Sequence, residues 1–303
     1  MTQMKEPAHS DLLTTFTQWW HQNVNGGWSA RWRRRSVWKA QIMQKMNLHR
    51  EVTAPLFWDA PMRVVTGESV SSSILAFGYT EAALTALMMH VLRSGQHMVD
   101  VGTHFGYTAL LGSRLVGPQG CVTGFEPSPP NFALAQKNLR GCPQASLHSC
   151  AVGNRQGTLL LERRPIEDSA FNSTPAKQTA LPTDEVAVTT LDKALVGEPP
   201  VDFLKCDAEG MEMAVLQGAH DTLTRDKPIL VLEAGMPSEE GDAADAAHDL
   251  ASHLTSYGYK AYAFDFDGAL RVGRLNDLPV HHANVAYVPA SYGAPFTRKT
   301  NVA

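Results

Sequence analysis

The sequence predicts an α/β chain: a doubly wound, mostly parallel seven-stranded sheet preceded by an N-terminal helical extension. Three observations carry this reading. From residue 74 onward, short apolar runs alternate with helical periodicity, the pattern of strand–helix–strand units. A glycine-bearing loop joins the first of these runs to its helix. Composition changes near residue 60, which separates an extension over 1–70 from an α/β domain over 71–303. With 44% hydrophobic and 18% charged residues, the chain is neither disordered nor fibrous. The net charge of −4 gives no support to nucleic-acid binding.

The extension holds all six tryptophans: Trp19, Trp20, Trp28, Trp32, Trp38 and Trp58. Residues 1–58 carry eight Lys/Arg against three Asp/Glu, with the basic charge concentrated over 31–39. That mixture suits a helical arm that packs its tryptophans on the main domain or on a second subunit. It also suits a membrane surface, an anionic substrate or single-stranded nucleic acid. The arm is expected to govern acceptor access or dimerisation. The polar first eleven residues predict no secretory signal, and no apolar run approaches the roughly 18 residues of a membrane span. The four cysteines, Cys121, Cys142, Cys150 and Cys206, form no C-x-x-C pair. A disulfide framework or zinc knuckle is therefore not expected, and a reducing cytoplasm fits best.

The elements follow in order. Leu84, Leu87, Met88, Val91 and Leu92 share a helical face, with Thr80 as N-cap and Gly95 as terminator. Residues 97–101 read as a buried strand, and Tyr107, Leu110, Leu111 and Leu115 begin the next helix. A strand over 121–125 leads to Ser128-Pro129-Pro130, a serine cap with proline in the first turn, and that helix closes at Gly141. Further strands fit 146–152, 158–162, 186–189, 201–206, 229–233, 260–265 and 284–288; helices fit 211–224 and 242–257. Residues 163–184 lack periodicity, as in a lid or a mobile loop. Asp267-Gly268 reads as a hairpin turn rather than a phosphatase-type nucleophile, because no D-x-D-x-T pattern follows a strand there.

The strongest signal is Asp100-Val101-Gly102-Thr103-His104-Phe105-Gly106, between a strand and a helix. Twenty-four residues after Gly102, Glu126 ends the second strand, where a doubly wound sheet places a carboxylate beside a ribose. A dinucleotide site wants G-x-G-x-x-G, so that helix N–H groups meet a pyrophosphate. Here the pattern is D-x-G-x-x-x-G, and Asp100 would repel a pyrophosphate. It suits a ligand carrying an ammonium and a sulfonium, S-adenosylmethionine, over a nicotinamide dinucleotide.

The chain resembles the FkbM-type family of class I S-adenosylmethionine-dependent methyltransferases. The segments that carry the likeness are Val99 through Tyr107, Phe125-Glu126-Pro127-Ser128-Pro129-Pro130-Asn131-Phe132, Cys150-Ala151-Val152-Gly153 and Val188-Thr189-Thr190-Leu191-Asp192. The most specific is Val201-Asp202-Phe203-Leu204-Lys205-Cys206-Asp207-Ala208-Glu209-Gly210-Met211-Glu212, followed by Val215-Leu216-Gln217-Gly218-Ala219. The likeness spans residues 78–288 and makes 71–303 a Rossmann-like methyltransferase domain, leaving 1–70 outside. It implies that Gly102, Thr103, His104 and Gly106 line the methionine end of the cofactor and that Asp100 helps hold its ammonium, directly or through water. Glu126 would bind the ribose, and Cys150 and Ala151 would lie by the adenine. Glu81 would close over the cofactor or serve only as a first-turn carboxylate. His104 stands where the family commonly has asparagine.

Strand alternation puts Lys205 and Asp207 on one face, with Cys206 opposite. Ligands of open α/β sheets lie beyond the carboxyl ends of the strands, so Asp207 and Glu209 are expected near the transferred methyl. A hydroxyl acceptor must lose its proton. Asp207 is the first choice of base and Glu209 the second, with Lys205 orienting either; a structural ion-pair network is the alternative. Glu233 shares the rim and could contact the acceptor, as could Asn172 and Ser173 from the long loop. A divalent metal on Asp207, Glu209 and Glu233 suits the ligand chemistry, but no spacing demands it. His281 and His282 read as exposed loop residues. The sequence thus predicts methylation of a small-molecule hydroxyl, on a sugar, glycolipid or polyketide-like acceptor as the family implies. Another use of the same cofactor, such as a different transfer or cyclisation, and a non-catalytic cofactor-binding protein stay open.

Overall fold

The computed structural model describes residues 9–24, 42, 46, 49–165, 169, 181–233, 242–274, 284–290 and 292. A helix, α1 (His9–Asn23), precedes a hairpin of β1 (Glu51–Pro55) and β2 (Pro61–Val65) and two helices, α2 (Ser69–Phe77) and α3 (Ala82–Val91). Then come β3 (His97–Val101), α4 (Tyr107–Val116), β4 (Cys121–Phe125), α5 (Pro129–Leu139), β5 (Ala145–His148), β6 (Ala151–Val152), β7 (Gly157–Glu162) and β8 (Thr183–Thr189). The chain continues through α6 (Leu191–Ala194), β9 (Phe203–Cys206), α7 (Glu212–Gln217), α8 (His220–Arg225), β10 (Ile229–Glu233), α9 (Asp242–Ser256), β11 (Tyr259–Phe266), β12 (Leu270–Arg274) and β13 (Asn284–Pro289).

The main sheet has eight strands in the order β12-β11-β13-β10-β9-β3-β4-β5. The run from β5 to β10 is parallel, and β13, β11 and β12 add antiparallel. Seven of the strands form the expected wound sheet. The eighth, β12, is the return arm of the hairpin that turns at Asp267-Gly268. Side-chain alternation divides the core. Met98, Phe203, Ile229, Val231, Phe264 and Ala286 pack on one face with α2 to α5. Val99, Val101, Leu204, Cys206, Leu230 and Val285 pack on the other with α7 to α9. This two-sided burial is why the parallel strands read as continuous apolar runs. Strand order reverses between β3 and β9, and at such a switch point the loops after the strands diverge to leave a crevice.

The structure alters several expectations. The helix after residue 80 is entered through Glu81 (φ 44°), not capped by Thr80, whose carbonyl instead accepts the Thr85 hydroxyl at 2.9 Å. It ends at Val91, with Gly95 in a separate left-handed turn (φ 86°). Residues 146–152 split between two sheets, because β6 leaves the main sheet to pair with β8. The helix expected over 211–224 breaks at Gly218, where a Cβ would lie 2.1 Å from the Gly153 carbonyl. Two small elements then replace one long one. Ser128 does precede α5 with proline in its first turn.

The hairpin β1–β2 and α2 escape the sequence reading, and residue 70 lies inside α2. Helix α1 joins the main core: Phe16 is fully buried, with ring centroids 4.6 Å from Phe57, 5.1 Å from Tyr79 and 5.0 Å from Phe266. Trp20 packs edge-on to Phe266 at 5.6 Å, and Trp19 to Tyr79 at 5.6 Å. Trp28, Trp32, Trp38 and the basic stretch 31–39 lie outside the described residues. Among the described residues, no single helix is long and apolar enough to cross a membrane. The four cysteines are free, and Cys206 is fully buried as a small hydrophobe.

Candidate active site

The carboxyl ends of β3, β4, β9 and β10 surround a cavity of about 220 Å³. Its wall brings together Glu81, Gly102, Thr103, His104, Glu126, Cys150, Ala151, Lys205, Asp207, Glu209 and Glu233, residues from six separate stretches of sequence. Asn172, Ser173, His281 and His282 lie outside the described residues.

The glycine loop is pinned by its neighbours. Gly102 N–H and Thr103 N–H both donate to the Phe125 carbonyl at 3.0 Å, and Asp207 N–H donates to Val101 at 3.1 Å. Gly102 (φ 77°) must be glycine, because an added Cβ would sit 1.9 Å from the Asp207 carbonyl oxygen. The approach presses the β3 loop onto the β9 loop and so sets the cavity floor. Gly106 (φ 91°) starts α4 behind the wall rather than on it.

Asp100 lies deeper than the sequence suggests. It is fully buried and does not line the cavity. Its Oδ2 accepts from Thr108 Oγ1 at 2.6 Å. Its Oδ1 has no hydrogen-bond partner among the described residues and lies 3.9 Å from Lys205 Nζ. The strand register explains this: Asp100 pairs with Lys205 across β3 and β9, one residue before the loop opens.

Glu126 is 5% exposed, and both its oxygens are engaged: Oε2 accepts from His104 N–H at 2.7 Å and Oε1 from Ser128 N–H at 2.9 Å. Burial outweighs these bonds and raises its pKa to about 7. Each oxygen keeps a lone pair for a further donor, as a ribose diol requires. His104 stacks on Phe105 at 3.8 Å, and its Nε2 lies 3.2 Å from Ser169 Oγ. Burial lowers its pKa to about 3, so the imidazole is neutral and brings no charge where the family commonly has an amide. Glu81 lines the cavity with its side chain open to solvent, its Oε1 accepting from Asn284 Nδ2 at 2.7 Å, and desolvation at the wall raises its pKa. It is therefore a cavity-wall carboxylate, and its side chain makes no helix cap.

Lys205 is buried, its Nζ 3.1 Å from Asp207 Oδ2 and donating to the Gly102 carbonyl at 3.0 Å. Burial works against its charge, but Asp207, Asp100 and Glu81 outweigh burial and raise its pKa. Burial also works against the Asp207 carboxylate, yet Lys205 and a hydrogen bond from Glu233 hold its pKa below the usual range. Glu233 is raised to about 9 by burial, by the charge of Asp207 and by donating its proton to that carboxylate. Glu209 (φ 50°) is raised to about 7 by burial and by Asp207 and Glu212. Oxygens of Asp207, Glu209 and Glu233 lie within 4.8 Å of one another. The turn that carries Asp207 and Glu209 is held from below by Glu212, whose Oε1 accepts from Ala208 N–H at 2.8 Å.

Several contributors were missed in the sequence, among them Ser169, Met62, Val70 and Glu212. Ser169, in the long stretch after β7, is buried between His104 and Asn131, whose Nδ2 donates to its carbonyl at 3.1 Å. Met62 of β2 and Val70 of α2 close the wall from the N-terminal side. Glu212 supports the turn. Alternation over 52–56 and 62–64 was the available signal for the hairpin; nothing local marks Ser169.

Comparisons with known proteins follow the same pattern. The family described as "Methyltransferase FkbM domain" matches residues 100–261, and protein-L-isoaspartate(D-aspartate) O-methyltransferase matches residues 34–159. A curated relative, "Methyltransferase 1" of Beauveria bassiana (strain ARSEF 2860), is 31% identical over 146 residues, which is 41% of this chain and 58% of the relative. Among solved structures, the FkbM methyltransferase of Methylobacillus flagellatus KT is 17% identical, covering 84% of this chain and 59% of that one, with a TM-score of 0.43. Aeropyrum pernix fibrillarin in complex with S-adenosyl-L-methionine is 16% identical, covering 65% and 67%, with a TM-score of 0.39. The chain thus spans less than two thirds of the length of both the curated relative and the FkbM structure. Because the FkbM domain match takes in more than half of the sequence, from the buried Asp100 through the cavity strands to β11, the chain belongs to the FkbM methyltransferase family.

Proposed function

We propose that the protein transfers a methyl group from S-adenosylmethionine to a hydroxyl oxygen of a small molecule. One observation carries this: a single cavity joins the glycine loop, the doubly held Glu126 and a carboxylate cluster around a buried ammonium. Family membership supports the methyl transfer itself.

The residues present fit the methyl donor. Glu126 has lone pairs for the ribose hydroxyls, and Phe125, Val152, Leu159 and Leu161 give apolar walls beside Cys150 and Ala151 for a base. Glu81 and the Asp207 cluster offer negative charge toward a cation. The bound donor supplies an electrophilic methyl on a sulfonium. The protein holds the acceptor hydroxyl in line and provides a carboxylate for its proton. Asp207 stays ionised on Lys205, while Glu209 has the pKa of a base poised near neutrality. We therefore assign Glu209 a share of the base role alongside Asp207, with Lys205 as the orienting group. The acceptor is a neutral sugar, glycolipid or polyketide-like molecule, nucleic acid is not a substrate, and no divalent metal is needed because Lys205 and a carboxyl proton counter the cluster's charge.

Calorimetric titration tests the reading. S-adenosylmethionine binds saturably and NAD does not. Glu126→Ala weakens the binding on the order of 100-fold, the effect of losing charge-assisted hydrogen bonds worth about 3 kcal/mol. Binding of NAD, or an unchanged affinity in Glu126→Ala, overturns it. Turnover that survives EDTA supports the metal-independent reading, and loss of turnover restored by Mg²⁺ refutes that part.

A further inference from the structure

We propose that Asp207, Glu209 and Glu233 act as one proton-holding unit. It gives up a proton when the cationic methyl donor enters the cavity and takes the acceptor's proton when the methyl leaves. The inference rests on the function proposed above and deepens it.

Geometry sets the charge problem. Three carboxyl groups converge so that an oxygen of each lies within 4.8 Å of the others. The ammonium in contact with them is Lys205, 3.1 Å from Asp207, and it is shared with the Gly102 carbonyl and with Asp100 at 3.9 Å. The other groups facing the unit do not offset it. Asp100 of β3 and Glu81 before α3 are carboxyls, and His104 of the glycine loop is neutral. Glu212 of α7 adds another carboxyl beneath the turn. Arg164, beyond β7, acts on Glu209 from a distance and has Glu162 at 3.7 Å. Among the described residues, acids therefore outnumber bases around the cavity. Like charges this close in an enclosed site do not all ionise near neutrality, and their protons belong to the group as a whole. A proton between Glu233 and Asp207 relieves the repulsion.

A sulfonium in the same cavity does the same electrostatic work, so the proton becomes dispensable and is released to solvent. In the reaction, the acceptor's O–H bond breaks and its proton passes to a carboxylate of the unit. The oxygen forms a bond to the methyl carbon, and the carbon–sulfur bond breaks with its electron pair going to sulfur. The sulfonium charge disappears as a proton arrives, so the cavity's net charge is the same before and after transfer. The product sulfide, being uncharged at sulfur, then binds to the protonated unit.

The test is calorimetric titration of the full chain with S-adenosylmethionine and with S-adenosylhomocysteine, in buffers of different ionisation enthalpy at slightly alkaline pH. Each ligand's own amino group contributes equally in wild type and variants, so the difference between proteins isolates the unit. Wild type is expected to release more protons with S-adenosylmethionine than Glu233→Gln does, and to show no such difference with S-adenosylhomocysteine. Glu209→Gln serves as the second variant. Equal proton release by wild type and both variants, with S-adenosylmethionine still bound, overturns this inference alone. Absence of S-adenosylmethionine binding in the wild type overturns the proposed function, and this inference with it.

Discussion

At the residue scale, the site is a set of carboxyl groups whose different surroundings give them different protonation states. Glu126, Glu209 and Glu233 have folded pKa values raised to about 7, about 7 and about 9, chiefly by burial. A carboxyl raised on folding adds stability below its unfolded pKa and loses it as pH rises through the folded value. Stability is therefore expected to fall between about pH 5 and about pH 9, with Glu233 responsible for the alkaline part. Thermal melts should show a decline of several degrees over that window, and Glu233→Gln should flatten its upper half. A wild-type melting temperature that rises toward pH 9 contradicts this. Gly102 is decided by contact instead of charge. Gly102→Ala would drive a Cβ into the Asp207 carbonyl, so loss of soluble protein or of cofactor binding is expected. The glycine loop, Glu126, Lys205 and Asp207 were legible because each sits at a strand end, where alternation and topology place it. Ser169 was not, since its position depends on His104 and Asn131, which are remote in sequence. The deep position of Asp100 was likewise hidden, being set by pairing with Lys205 on β9.

Elements show which motif segments hold the scaffold and which build the site. The Thr190-Leu191-Asp192 segment belongs to the family likeness but lies away from the cavity. Thr190 Oγ1 accepts from Lys193 N–H at 3.3 Å as the cap of α6. Asp192 accepts from Asp221 N–H at 3.0 Å, and from Thr222 N–H at 2.9 Å and its hydroxyl at 2.8 Å. It thereby ties α6 to the start of α8. Asp192→Ala is expected to cost about 2 kcal/mol in denaturant unfolding and to leave S-adenosylmethionine affinity unchanged; a change in affinity without lost stability would refute the scaffold role. Helix α1 belongs equally to the scaffold. Phe16→Ala should cost about 3–5 kcal/mol, because the ring is fully buried among Phe57, Tyr79 and Phe266. Deleting residues 1–58 would expose this core and so would not isolate the role of the arm. Periodicity found the wound strands and helices, but not the break at Gly218. A glycine in a helical pattern shows its purpose only when the Gly153 carbonyl is seen against it.

For the whole molecule, the N-terminal segment and the wound sheet make one cavity, with Met62 and Val70 on its wall. We propose that the basic, tryptophan-rich stretch 31–39 acts on the acceptor, at a membrane surface or at the contact between two copies, and that it leaves the cofactor untouched. Replacing Arg33, Arg34 and Arg35 with serine should raise the acceptor KM or lower the oligomeric mass while S-adenosylmethionine affinity holds. No change in KM, mass or binding to anionic vesicles refutes this. The sequence by itself determined the doubly wound sheet, the glycine loop, Glu126 and the Lys205–Asp207–Glu209 strand end. Each rests on short-range periodicity or on motif residues brought into place by a known crossover rule. Only the tertiary structure decided that Glu233 converges with Asp207 and Glu209 within 4.8 Å, that Asp100 is buried beneath the loop, and that Ser169, Met62 and Val70 complete the wall. Those facts depend on distances between residues far apart in the chain and on the burial that packing creates. No local pattern of residue types encodes either.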